Sequence, residues 1–224
     1  MKTLHYSSSM APGTPRELLV LLPGAGMTAD DFAAHGFVAA LRRHAWDCDV
    51  LAVETGVETY LDDDIAARLH DEVIAPALET GVAGVWLAGI SVGGFGALSY
   101  VRAGHAPVAG VLLLAPFLGS GGLIAKVASA GSLYSWSLGC SDGATSQQRL
   151  LAWLASDDFT VSAKRRVYLG FGEQDRFAVA HRLLAELLPA ARVRTVQGGH
   201  DWPTWEVLWD ELLATAIGEP GDRH

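Results

Sequence analysis

Val85-Trp86-Leu87-Ala88-Gly89-Ile90-Ser91-Val92-Gly93-Gly94 is the stretch from which the rest of the chain can be read. Its first half is a continuous apolar run, the pattern of a strand buried on both faces. A helical pattern, Ala97 to Val101, continues directly behind it. A serine at so tight a strand-to-helix corner takes a strained backbone conformation. Side chains two residues to either side would clash, which explains glycine at Gly89 and Gly93. The Ser91 hydroxyl would stand above the C-terminal edge of a sheet. The Val92 amide, at the helix N-terminus, would point at the same spot and could donate to an oxyanion. The pattern Gly-x-Ser-x-Gly alone is a weak signal, since a turn chosen only for packing reads the same way. Its context and its partners must decide.

Outward from this corner, apolar runs alternate with amphipathic stretches. Leu18 to Leu22 reads as a strand ending at Pro23-Gly24, and Cys48 to Val53 as the next. Val111 to Leu114, Val167 to Leu169 and Val193 to Val196 follow the central one. Between them, Asp31 to His44, Leu61 to Leu78, Phe177 to Leu188 and Thr204 to Ile217 read as helices, with Pro76 kinking or ending the second. Strands alternating with helices predict an α/β domain, a parallel sheet covered on both sides. Leu4 to Ser8 could add an antiparallel edge strand. A single domain spanning 1–224 is expected, with one interruption. From Phe117 to Thr160 only one helical patch, Gln147 to Leu154, is visible among glycines and serines. A connection this long is expected to be a lid (117–160), because Leu123, Ile124, Val127, Leu133, Tyr134, Trp136 and Leu138 are more apolar than a solvated loop needs.

Composition narrows the function. Of 224 residues, 50% are hydrophobic and 18% charged, and the formal charge is −9. The mean hydropathy is +0.24. This excludes disorder and argues against nucleic-acid partners, which need a basic face. Asp62-Asp63-Asp64 reads as helix capping rather than a metal cluster. Cys48 and Cys140 make neither a disulfide scaffold nor a zinc site, and a Cys48–Cys140 bridge is not expected. Met1 to Ser7 is not a signal peptide, and Val108 to Leu118 is too short and interrupted to span a bilayer. A soluble cytoplasmic protein is the expectation, with no membrane partner. No signal for oligomeric state is legible.

A serine hydroxyl needs a base, usually a histidine oriented by a carboxylate. His5, His35, His44, His70, His105, His181 and His224 have undistinguished surroundings and read as surface or packing residues. His200 lies in Gln197-Gly198-Gly199-His200-Asp201-Trp202-Pro203, a loop after the last strand and before a helix started by proline. That places it at the same sheet edge as Ser91. The acid should come from Gly172-Glu173-Gln174-Asp175. Asp175 is preferred for its reach, with Glu173 the competitor. Asp201 is too close in sequence to face the ring. The order Ser91, Asp175, His200 is that of the nucleophile-elbow fold.

On these motifs the chain resembles the α/β-hydrolase superfamily, from Leu18 to Ile217. Gly199-His200-Asp201-Trp202, with Trp205 behind it, is similar to the histidine loop of esterase D-type, feruloyl-type and tributyrin-type carboxylesterases. The resemblance implies an α/β-hydrolase fold, a mostly parallel sheet of about six to seven strands flanked by helices. It implies acyl transfer through an acyl-serine, with no metal or organic cofactor. It also implies a second oxyanion donor in Leu22-Pro23-Gly24-Ala25-Gly26-Met27, where Ala25 holds the usual position and Met27 is the neighbour that could serve instead. Pro23 stands where many members have histidine, which leaves a backbone donor intact. The chain is short for this fold, so one or two initial antiparallel strands are expected to be trimmed.

Met27, Phe117, Tyr134, Trp136, Trp153 and Trp202 are candidate pocket walls, while Trp205 and Trp209, four apart on one helix face, read as core. Several aromatics near an apolar lid favour small to medium uncharged esters as the small-molecule partner. A thioesterase, an acyltransferase with the same triad, or a non-catalytic small-molecule receptor are the alternatives. A dehalogenase would need a carboxylate at position 91 and a dienelactone-type hydrolase a cysteine.

Overall fold

A computed structural model describes residues 1–11, 14, 16–137, 139, 144–163 and 166–219. Cys140, Leu138 and the tail beyond Glu219 lie outside the described residues, and with them the expectation about a Cys48–Cys140 bridge. Cys48 itself is buried, with no disulfide partner among the described residues.

Seven strands form one sheet: β1 (Lys2–Tyr6), β2 (Glu17–Leu22), β3 (Asp49–Glu54), β4 (Gly84–Ile90), β5 (Gly110–Leu114), β6 (Arg166–Gly172) and β7 (Val193–Val196). Their order is β1-β3-β2-β4-β5-β6-β7. Every pairing is parallel except that of β1 with β3. One antiparallel strand is therefore retained at the N-terminal edge. It begins at Lys2, two residues earlier than its apolar pattern suggested.

Alternation along each strand divides the core in two. On β2, Leu18, Val20 and Leu22 face one layer; Leu19 and Leu21 face the other. The second layer is made by α1 (Ala29–Ala34), α2 (Phe37–Arg43) and α12 (Trp202–Gly218). The first holds α3 (Val57–Leu61), α4 (Ile65–Leu69), α6 (Val92–Ala103) and α11 (Ala178–Ala185). The expected Asp31–His44 helix is two helices, because Gly36 adopts φ 75° between them. The expected Leu61–Leu78 helix is likewise broken at Asp62, and then runs through a π turn at His70–Ile74 into α5 (Ala75–Glu79). Pro76 supplies the reason: it cannot donate to Glu72, and widening the turn relieves its ring from that carbonyl.

The long connection after β5 is more helical than its glycines suggested. It contains α7 (Gly121–Ser129), α8 (Leu133–Ser137), α9 (Ser146–Leu154) and α10 (Asp157–Ala163). Ile124, Val127, Leu133, Leu150, Leu151, Leu154 and Phe159 are buried in the same cluster as Val92 and Phe95. Asp63, within the acidic triplet, pairs with Arg149 of α9. Among the described residues no helix is long and apolar enough to cross a membrane.

Candidate active site

The centre of the site is the corner between β4 and α6. Ser91 takes φ 53°, a left-handed conformation unusual for a side-chain-bearing residue. Hydrogen bonds hold it there: its amide donates to Leu114 O at 3.0 Å, and its carbonyl accepts from Gly94 N at 3.0 Å and Phe117 N at 2.8 Å. A Cβ at Gly89 would collide with the backbone of Gly93, and one at Gly93 with the Leu22 carbonyl. The two glycines therefore let β2, β4 and α6 meet within backbone contact.

The loop after β2 lies against this corner. A Cβ at Gly24 would stand 3.4 Å from the Ile90 carbonyl oxygen. The loop closes in a turn, Met27 N donating to Gly24 O at 3.3 Å, and Gly24 N faces Met27 Sδ at 3.0 Å. Ala25 is exposed at the tip of that turn. Val92 opens α6, so its amide has no acceptor within the helix.

The loops after β6 and β7 are stapled to each other. Glu173 N donates to Val196 O at 2.9 Å and Gln174 N to Gly198 O at 3.0 Å. Gly172 approaches Gly198 so closely that no Cβ fits between them. This packing brings His200 Nδ1 to 2.7 Å from Asp175 Oδ2, and His200 Nε2 to 3.0 Å from Ser91 Oγ. Asp175 Oδ1 accepts from Phe177 N at 2.8 Å. The carboxylate can only accept, so the His200 proton sits on Nδ1 and Nε2 is left bare toward the serine. Burial raises the Asp175 pKa, but the hydrogen bonds from His200 and the Phe177 amide outweigh it and hold the carboxyl below its ordinary value. Glu173 is occupied elsewhere, by Gln197. Asp201 caps α12, accepting from Thr204 N at 3.1 Å.

Two aromatic rings flank His200 edge-on: Phe177 at 5.0 Å and Trp205 at 5.1 Å. Trp205 has the core position expected of it and also touches the imidazole. Phe177 escaped the sequence reading; its place two residues after Asp175 was the available signal. Of the expected pocket walls, Phe117 lies beside Phe95 and Phe177, at 6.2 and 6.0 Å. Trp136 and Trp153 are partly buried against the first core layer. Tyr134 is 64% exposed. Trp202 belongs with the α1–α2 layer: it stacks on His35 at 3.8 Å and meets Phe32, Phe37 and Trp205 edge-on. Met27 is partly buried against the same layer.

No protein-family model and no curated protein matches the chain. Solved structures do. A ferulic acid esterase superposes with a TM-score of 0.67 at 16% identity, covering 96% of this chain and 92% of its own. FphF, a fluorophosphonate-binding serine hydrolase of Staphylococcus aureus, gives 0.64 at 14% identity, covering 97% and 98%. S-formylglutathione hydrolase (FrmB) of the same organism gives 0.60 at 14%, covering 91% and 82%.

Proposed function

We infer that this chain, whose fold is that of the α/β-hydrolases, is a serine esterase acting on small to medium uncharged carboxylic esters. The observation that carries the reading is the unbroken chain Ser91 Oγ, His200, Asp175, at 3.0 and 2.7 Å, on the C-terminal edge of the sheet. Ser91 Oγ attacks the ester carbonyl carbon while its proton passes to His200 Nε2. Asp175 holds the ring and balances the imidazolium. The amides of Val92 and Ala25 serve the oxyanion. The tetrahedral adduct collapses, and the alcohol leaves with the proton from His200. Water then loses a proton to His200 and attacks the acyl-serine; the adduct expels the acid as the acyl–Oγ bond breaks and His200 returns the proton to Ser91 Oγ. No step calls for a metal or organic cofactor.

Phe117 has the most direct support as a pocket wall, since its amide is bonded to Ser91 O. In this reading the helices of the 117–160 segment form the lid. Trp136 and Trp153 line its inner side and Tyr134 its outer edge, with Met27 and Trp202 on the opposite flank. A thioester substrate is the second reading, favoured by the likeness to an S-formylglutathione hydrolase.

Hydrolysis of p-nitrophenyl esters from acetate to decanoate, by the protein and by Ser91→Ala, tests the assignment. Turnover lost by at least about 10³-fold in the variant is expected, with the chain-length optimum sizing the pocket. Turnover equal in both proteins would refute a serine mechanism. Turnover of acyl thioesters alone would select the second reading.

A further inference from the structure

His181 lies on α11 and is fully buried. Its Nε2 sits 3.1 Å from the carbonyl oxygen of Pro116. A carbonyl only accepts, so Nε2 carries the proton; among the described residues Nδ1 has no hydrogen-bond partner. A buried imidazole with half its polar capacity unused is costly, and calls for a physical reason.

That reason lies in what Pro116 belongs to. Ala115-Pro116-Phe117 is the bend that leaves β5. Ala115 is held at φ 46°, a strained value for a residue other than glycine. Ala115 N donates to Gly170 O of β6 at 2.8 Å, and Phe117 N donates to Ser91 O at 2.8 Å. Pro116 packs against Gly94, where an added Cβ would come within 2.7 Å of it. The bend therefore supports the corner on which Ser91 is mounted. At its other end, His181 belongs to the helix that grows out of the acid loop. Its amide donates to Phe177 O at 3.2 Å, and Phe177 N donates to the Asp175 carboxylate.

Resting on the esterase reading above, we propose that His181 is a positioning residue: its hydrogen bond to Pro116 locks the serine bend to the acid loop and so sets the distance between Ser91 and the His200–Asp175 pair. One end of the link is the Pro116 carbonyl and the other the helix behind the acid loop, so the His181 side chain adds a second tie to the backbone bond between Ala115 N and Gly170 O. The imidazole must also stay neutral. Asp175 and His200 are the charged and titratable groups it senses, and a cationic His181 would compete with His200 for the Asp175 carboxylate. Burial meets this need, pushing His181 down to about 4 against the pull of Asp175 and the Pro116 carbonyl.

Three variants separate positioning from packing. His181→Phe removes the donor. His181→Asn keeps a polar amide too short to reach Pro116. His181→Gln can place an amide N–H near the position of Nε2. The readouts are kcat and KM on a p-nitrophenyl ester, the rate of Ser91 labelling by a fluorophosphonate, and the low-field proton resonance of the His200–Asp175 hydrogen bond. Expected are a fall of about 10- to 100-fold in kcat for Phe and Asn, with KM changed less than about threefold, and recovery of most of it by Gln. Labelling rates should follow kcat. If Phe does not fold, the contrast between Asn and Gln decides alone. A kcat within twofold of the parent in Asn, whatever the loss of melting temperature, overturns the proposal, as does Gln behaving like Asn. If the parent protein neither hydrolyses esters nor labels, the esterase reading fails by itself. The resonance then decides for His181: weakening in Asn and recovery in Gln supports the link, and persistence in all variants refutes it.

Discussion

At the scale of single residues, the site is a set of hydrogen bonds whose donors and acceptors leave little choice. Asp175 accepts from both His200 Nδ1 and the Phe177 amide, so its two oxygens are engaged and aimed. Glu173, two residues earlier, points to Gln197 and joins the loops from outside. Replacing Asp175 by Asn turns the acceptor into a donor-capable amide and favours the wrong His200 tautomer. A loss of about 10⁴-fold in kcat is expected. Glu173→Gln should stay within about threefold of the parent. Steady-state kinetics on one ester compares the two, and the reverse ranking would move the acid to Glu173.

Among the elements, the segment between β5 and β6 carries opposed signals: its glycines point to loop while its apolar residues point to core. The apolar residues prevail, and short helices pack beside α6. At α9, Thr145 Oγ1 accepts from Gln148 N at 3.3 Å while Gln148 Oε1 accepts from Thr145 N at 2.9 Å, a reciprocal cap. Thr145→Ala should lower stability by about 1 kcal/mol. Urea unfolding measures it. A change below about 0.3 kcal/mol would mean that packing alone holds α9.

For the molecule as a whole, the same burial that serves the site sets a pH limit on the fold. His181 titrates near 4 when folded against an ordinary 6.5. Between those values the unfolded chain takes up a proton that the folded chain refuses, so stability rises with pH across that window and falls as pH drops through it. At pH 4.5 the loss is on the order of 2–3 kcal/mol relative to pH 7.5. Asp175, held below its ordinary value, adds a further loss only below about pH 4, as it becomes protonated. Urea unfolding at pH 7.5 and 4.5, in the parent and in His181→Gln, isolates the histidine contribution. Equal differences in the two proteins would show that His181 does not carry it.

The strand pattern was legible because strands buried on both faces must be apolar throughout, and β2, β4 and β5 leave no other reading. The Ser91 corner was legible for a partly local reason: Gly89 answers a clash with the Gly93 backbone four residues on, whereas the clash that Gly93 avoids, with the Leu22 carbonyl, appears only in the fold. His200 could be singled out by its place after the last strand. What sequence distance conceals is which side chains meet. His181 sits in an ordinary amphipathic helix pattern, and nothing local marks its bond to Pro116, 65 residues away. Trp202 stands two residues from His200 in sequence, yet its ring stacks on His35 and meets Phe37 edge-on rather than meeting the imidazole. Local sterics and apolar periodicity are written into short stretches of chain and fix the elements and the place of Ser91. Partnership across the sheet depends on how two layers close over it, and only the tertiary structure decides that.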